Sequence, residues 1–254
     1  MATYTEQVDR ICYKLKKARK KDTGYKVFGS SHHKYKIGKV IAESEVSSFE
    51  EKYKVALPEC YKSFVTRIGN GGVSHSNSAA GPFYGIYPFA ENIHEIVVPA
   101  KIFLSNEVKI YPNMSDAYWD ELTYRVENDE DISENDYDEE LSKIFGGILP
   151  IGSQGCSYVH GLVLQGVNKG KVVNLDISLQ KPQFTFEDNF LDWYERWLDE
   201  VISGKLINDG PNWFGYSERS LEDIQNREAL DDQIEDSNGQ IKESKKRKWF
   251  EIWK

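Results

Sequence analysis

Apolar and polar positions alternate along this chain with periods that mark out its elements. Residues 4 to 21 put Val8, Ile11, Cys12 and Leu15 on one helical face, ahead of a lysine-rich end at Lys16–Lys21 that suits the negative end of the helix dipole. Val46, Phe49 and Tyr53 stripe a second helix, with Ser44 as its N-cap. Pro58 opens a third, at a position where its missing N–H costs nothing. Tyr61, Phe64, Val65 and Ile68 follow at i, i+3, i+4 and i+7, the spacing of one helix face. Gly69-Asn-Gly-Gly72 stops that helix, because Gly and Asn accept the left-handed conformation of a C-cap. This cluster is not a phosphate cradle. Such loops follow a strand and open a helix, whereas this one closes a helix with no Lys-Ser or Lys-Thr pair after it.

Residues 22–38 read as an aromatic loop, 73–82 as a flexible connection, and 83–88 as a short strand or turn, while 92–111 show no clear period. Ser115 caps a helix to about Val126 that turns Trp119, Leu122 and Val126 inward. Residues 127–140 carry nine carboxylates in 14 positions, read as a solvated, mobile charge block, before an apolar helix end at Leu141, Ile144 and Phe145. The second half is sheet-like. Strands are expected at 148–151, 158–165, 171–177 and 183–187, with a hairpin connection at Gly166–Gly170. Asp188 or Asn189 caps a last helix with Phe190, Trp193, Trp197, Leu198 and Val201 on one face, and Gly204 stops it. After Asn208 the chain turns polar: a charged helix from Ser217 to about Ile234, a linker at Asp236–Lys242, and a basic, aromatic end at Lys245–Trp253. The aromatics of that end favour docking onto the chain's own domain, ahead of a partner contact.

His33-Lys-Tyr-Lys-Ile-Gly38, Phe49-Glu-Glu-Lys-Tyr53, Leu57-Pro-Glu-Cys-Tyr61 and Gly69-Asn-Gly-Gly72 resemble the SUKH superfamily, which includes the Smi/Knr-type cell-wall regulators and bacterial toxin-immunity proteins. Gly81-Pro-Phe-Tyr-Gly-Ile-Tyr-Pro88, Ile148-Leu-Pro-Ile-Gly-Ser-Gln-Gly-Cys156 and Phe190-Leu-Asp-Trp-Tyr-Glu-Arg-Trp-Leu198 continue the likeness in the expected order, over most of residues 33 to 204. The resemblance implies an α+β fold, a mainly antiparallel sheet with helices packed on it, and a protein that binds other proteins without a catalytic centre. Three parts have no counterpart in the motif set: the N-terminal helix, the acidic run and the tail after about 210. The expected organisation is therefore an N-terminal helix and loop (1–32), a SUKH-like α+β domain (33–208, with its insert near 127–140) and a charged C-terminal extension (209–254).

Composition narrows the function. The net charge of −9 argues against a nucleic-acid binder and fits a basic partner. Cys12, Cys60 and Cys156 are an odd set without paired spacing, as expected of reduced thiols in the cytoplasm. No apolar run approaches the length of a membrane span, and the N-terminus has no signal-peptide core. No metal set, cofactor motif or catalytic constellation emerges. Cys156 and His160 share a strand face but lie roughly 13 Å apart along it. His32, His33, His75 and His94 read as loop histidines, and Asp129, Asp131 and Asn135 lack the glycine and spacing of a calcium loop. Gly152-Ser-Gln-Gly155 breaks the nucleophile-elbow spacing. The expected function is that of an immunity protein that neutralises a basic toxin domain by occlusion, with a regulatory scaffold as the alternative. Candidate contact residues are Tyr84 and Tyr87 in the aromatic loop and Asp129, Glu130, Asp131, Asp136 and Asp138 in the acidic run.

Overall fold

The computed structural model describes residues 4–234 except 73, 75, 76, 98–102 and 209–213. Helices α1 (Thr5–Lys21), α2 (Ser30–His33), α3 (Glu43–Tyr53) and α4 (Glu59–Ser63) come first, and α4 runs into a π-helical turn, Phe64–Ile68. Then come α5 (Asp116–Asn128), α6 (Glu134–Ile144), strands β1 (Ile148–Gly155), β2 (Tyr158–Val163), β3 (Val172–Asp176) and β4 (Gln183–Phe184), and helices α7 (Phe190–Ser203) and α8 (Lys205–Asn208). The fold is α+β, with a four-stranded antiparallel sheet in the order β1-β2-β3-β4. The chain divides into two compact units, residues 1–217 and 218–254. In the second, residues 221–234 are helical, and Ser220 and Asp223 cap the helix reciprocally through side chain and backbone. The linker expected at Asp236–Lys242, the end at Lys245–Trp253 and His75 lie outside the described residues.

Strands β2 and β3 are buried almost throughout, so both sheet faces are covered. His160 pairs with Asn174 in register, and its ring meets Trp193 of α7 edge-on at 4.9 Å, which seats that helix on the sheet. Asn189, one of the two expected caps, accepts from the N–H groups of Leu191 and Asp192, and Gly204 ends α7 at φ 93°. Helix α7 is buried on its polar side as well as its apolar one. Lys14 of α1, with no exposed area, lies 2.9 Å from Glu195 and 2.7 Å from Asp199, the latter an ion pair whose angles fall outside hydrogen-bond geometry. Arg10 adds a second cation to Glu195 at 2.9 Å. Burial alone would raise the Glu195 carboxyl, but the Arg10 hydrogen bond and the Lys14 and Arg10 charges outweigh it and hold it at about 2. One residue along, Arg196 binds Glu187 at 2.8 Å and Glu200 at 2.7 Å and donates to the Ser217 carbonyl.

The two-helix motif holds with two corrections. Ala42, not Ser44, is the N-cap of α3; having no side-chain acceptor, it is served by Glu45, which accepts from the Ala42 N–H at 2.8 Å. The glycine cluster ends the second helix, but Gly69 adopts φ 155°, ψ −174° rather than a left-handed cap. The π-helical turn leaves the Val65 carbonyl free to accept from Ile41 N–H, and Gly38 N–H donates to the Asn70 carbonyl. The glycines thus let residues 37–41 cross the helix end at backbone contact. A Cβ at Gly69 would collide with Ile37 Cγ2 and sit 2.6 Å from the Gly38 oxygen, whereas one at Gly72 would meet nothing.

Gly69→Ala is therefore expected to destabilise the protein by about 3 kcal/mol or more and Gly72→Ala by about 1 kcal/mol in urea denaturation; equal losses would contradict the crossing. Lys14→Met strands two buried carboxylates and should cost about 3 kcal/mol in the same assay. A neutral result would mean that Arg10 alone balances them.

Candidate partner-binding site

The residues with catalytic potential are dispersed. Cys156 and His160 do not share a face. Cys156 sits exposed in the β1–β2 turn at φ 53°, while His160 is fully buried on β2. His160 Nδ1 lies 3.1 Å from Asn174 Oδ1, which also accepts from Gln154 Nε2, a core polar network. His32 is exposed, but His33 is a core residue: its Nδ1 accepts from the Tyr35 N–H, and its Nε2 lies near the Gly81 carbonyl without reaching hydrogen-bond geometry. Among the described residues no three His, Cys, Asp or Glu side chains are placed to hold a metal.

The acidic run is built differently from the expected mobile block. Ser115 Oγ accepts from Tyr118 N–H to start α5, and Ser133 Oγ accepts from Asp136 N–H to start α6. Tyr137, Leu141 and Ile144 supply the apolar stripe that packs α6 on the core. Residues 116–144 therefore form a helical hairpin with twelve carboxylates against two basic residues, a net −10. Arg125 ties its arms, 2.7 Å from Glu140 and 3.9 Å from both Asp129 and Asp136. These are exposed pairs that contribute little stability and leave most of the charge uncompensated. Burial would raise the Glu140 carboxyl, but hydrogen bonds from Lys143 and Arg125 outweigh it and hold it below the usual range. Asp129, Glu130 and Asp131 are exposed at the connection, and Asp136 and Asp138 are half-buried on α6.

A groove of about 620 Å³ runs beside the hairpin, lined by Tyr111, Tyr118, Leu122, Glu107, Glu121 and Glu140 together with two lysines. Tyr111 is 43% exposed, and its ring lies 5.2 Å from that of Tyr118. Tyr118 donates to the Lys109 carbonyl at 2.9 Å, which fixes its ring. Burial and the neighbouring Tyr111, Glu107 and Glu121 push the Tyr118 hydroxyl upward. The sequence reading missed this aromatic pair. Its only signal was a seven-residue spacing that starts before the Ser115 cap.

Tyr84 and Tyr87 lie elsewhere. Tyr84 is half-buried against Phe28 and His32, and its N–H donates to the Ser153 carbonyl. Tyr87, also half-buried, sits beside Glu95 and Ser153, with burial and the Glu95 charge pushing its hydroxyl up to about 12. Neither makes a ring contact or hydrogen bond with the hairpin. The structure thus gathers the five carboxylates on one hairpin and sets both tyrosines apart from them.

The SMI1 / KNR4 family (SUKH-1) sequence model matches residues 41–196, more than half of the chain. The chain belongs to the SMI1 / KNR4 (SUKH-1) family. That family generally comprises immunity or regulatory proteins without enzymatic activity. The match begins after α2 and ends within α7, so it takes in the hairpin and its groove but not α1. No curated protein and no solved structure matches the chain. Among the described residues no helix is long and apolar enough to cross a membrane.

The two buried histidines make stability pH-dependent. Burial lowers His33 to about 4 and His160 to about 3, so both stay neutral in the folded state but take a proton below about 6.5 once unfolded. Their contribution is complete above pH 6.5 and is lost as pH falls toward 4, by on the order of 3 kcal/mol per histidine. Glu195, held at about 2, adds a further loss below pH 4.5. Urea midpoints should drop steadily from pH 6.5 to 4, and less steeply in His160→Gln; a flat profile there would contradict the buried neutral imidazoles.

Proposed function

We propose that this SMI1 / KNR4 family protein is an immunity protein that binds a basic toxin domain through the α5–α6 hairpin and occludes that toxin's working surface. The observation that carries the reading is the groove beside the hairpin. It joins an exposed aromatic anchor, Tyr111, braced by Tyr118, to a surface of net −10. Tight protein interfaces have this composition: a few aromatic anchors that enter pockets, with a charged rim that steers approach and sets register. Asp129, Glu130 and Asp131 are exposed at the connection between α5 and α6, open to a basic partner. Three unpaired cysteines suit action in the cytoplasm. Binding by occlusion asks for no catalytic group, and the dispersed titratable residues fit that demand.

Co-expression with the product of the neighbouring gene tests the reading, which requires that product to be toxic when expressed alone. The wild-type protein should restore growth. Tyr111→Ala should weaken binding by about 30-fold, the loss typical of an anchor worth about 2 kcal/mol. Glu130→Lys with Asp131→Lys should slow association and flatten its salt dependence. A toxin that stays lethal beside the wild-type protein, or hairpin variants that protect equally well, would contradict the reading. Recovery of several signalling proteins and no toxin would favour the regulatory alternative.

A further inference from the structure

The segment from the end of α1 to residue 39 carries the opposite charge. Residues 16–39 hold nine basic residues and a single acid, Asp22, a net +8 within a chain of net −9. That acid offers no compensation at the surface. It is 2% exposed, and its carboxylate accepts from the Lys26 and Val27 N–H groups, the Ser30 hydroxyl and the Tyr35 hydroxyl. Lys26, Lys34, Lys36 and Lys39 are exposed, and among the described residues none has an ion-pair partner.

Aromatic side chains interleave with these cations in sequence. Phe28 is 44% exposed, with its ring 5.7 Å from Tyr84, and His32 meets Tyr84 at 4.6 Å. The cluster is rigidly placed. A Cβ at Gly29 would overlap the Phe83 carbonyl, so the loop rests directly on the strip that carries Tyr84. Tyr25, Lys34, Tyr35 and Phe83 all adopt left-handed backbone near φ 50°, a costly conformation for residues with side chains. Asp22 holds much of this arrangement from beneath.

We infer that Lys26, Phe28, His32, Lys34 and Tyr84 form a second docking surface, which takes an acidic polypeptide segment bearing an aromatic or aliphatic anchor. An exposed apolar anchor with uncompensated cations close to it in sequence is complementary to such a segment in charge and in burial. A nucleic-acid strand fits less well. Phe28 and His32 both meet Tyr84 edge to face, so the cluster lacks the open parallel platforms on which successive bases stack. The surface shares no residue with the hairpin groove and calls for a partner of opposite charge, so it stands whether or not the hairpin binds a toxin.

Parallel selection of a phage-displayed random dodecapeptide library tests it, on full-length wild type, on Phe28→Ala and on Lys26→Glu with Lys34→Glu. All three substituted side chains are exposed, and matching thermal midpoints will show the variants folded. Peptides that the wild type retains and both variants lose should be rich in Asp and Glu and carry at least one aromatic or aliphatic residue. As synthetic peptides they should bind wild type at least tenfold more tightly than either variant, and a 15-nucleotide oligothymidine should not displace them at equal concentration. Recovery of no variant-sensitive peptides, of basic or uncharged ones only, or displacement by oligothymidine would overturn the inference.

Discussion

The packing of the main unit depends on α7, a helix buried on its charged side as well as its apolar one. Its rings rest on the sheet through His160 and Trp193. Its carboxylates Glu195 and Asp199 face Lys14, and its Arg196 lies between Glu187 and Glu200. Charges this far from water survive only when their partners are in place, because removing one leaves the others unsolvated. This gives α1 a structural role. The family match begins at residue 41, yet the helix in which it ends depends on Arg10 and Lys14, which precede it. The N-terminal helix is part of the fold of this family member rather than an appendage to it.

With the core fixed, the surface is left to carry specificity, and it is divided by charge. The α5–α6 hairpin holds net −10 and residues 16–39 hold net +8. At physiological salt the screening length is about 8 Å, so each region acts locally and the overall charge describes neither. An overall −9 pointed to a basic partner, which suits the hairpin, but it concealed a cationic segment of comparable net charge. Each region also has its own exposed aromatic, Tyr111 in one and Phe28 in the other.

Periodicity made most of the scaffold legible in advance. The α7 stripe, the Asn189 and Gly204 caps, the Ser115 cap and the strand pattern each depend on neighbours in sequence. Misreadings arose where tertiary contact overruled local signals. The glycine cluster looked like a left-handed cap and serves instead to let residues 37–41 cross a π-helical turn. Lys14 falls at helical spacing between Ile11 and Ala18, both buried, and nothing near it in sequence points to its carboxylate partners, the nearer of them 181 residues away. In the acidic run, Leu141 and Ile144 were legible as an apolar helix end, but charge density hid that Tyr137 and the carboxylates from Glu134 onward belong to the same helix. Candidate contacts were harder still: carboxylates announce themselves by composition, whereas Tyr111 and Tyr118 become a pair only when a turn brings them together.

The central claim is that a partner is bound by the hairpin side of this scaffold while the core stays unchanged. Hydrogen–deuterium exchange of the full chain, with and without the protein product of the neighbouring gene, measures this directly. The account predicts added protection at residues 107–144 and none at β2, β3 or α7, which are already closed to solvent. Protection confined to residues 22–36 and 81–87, with the hairpin exchanging as in the free protein, would contradict it.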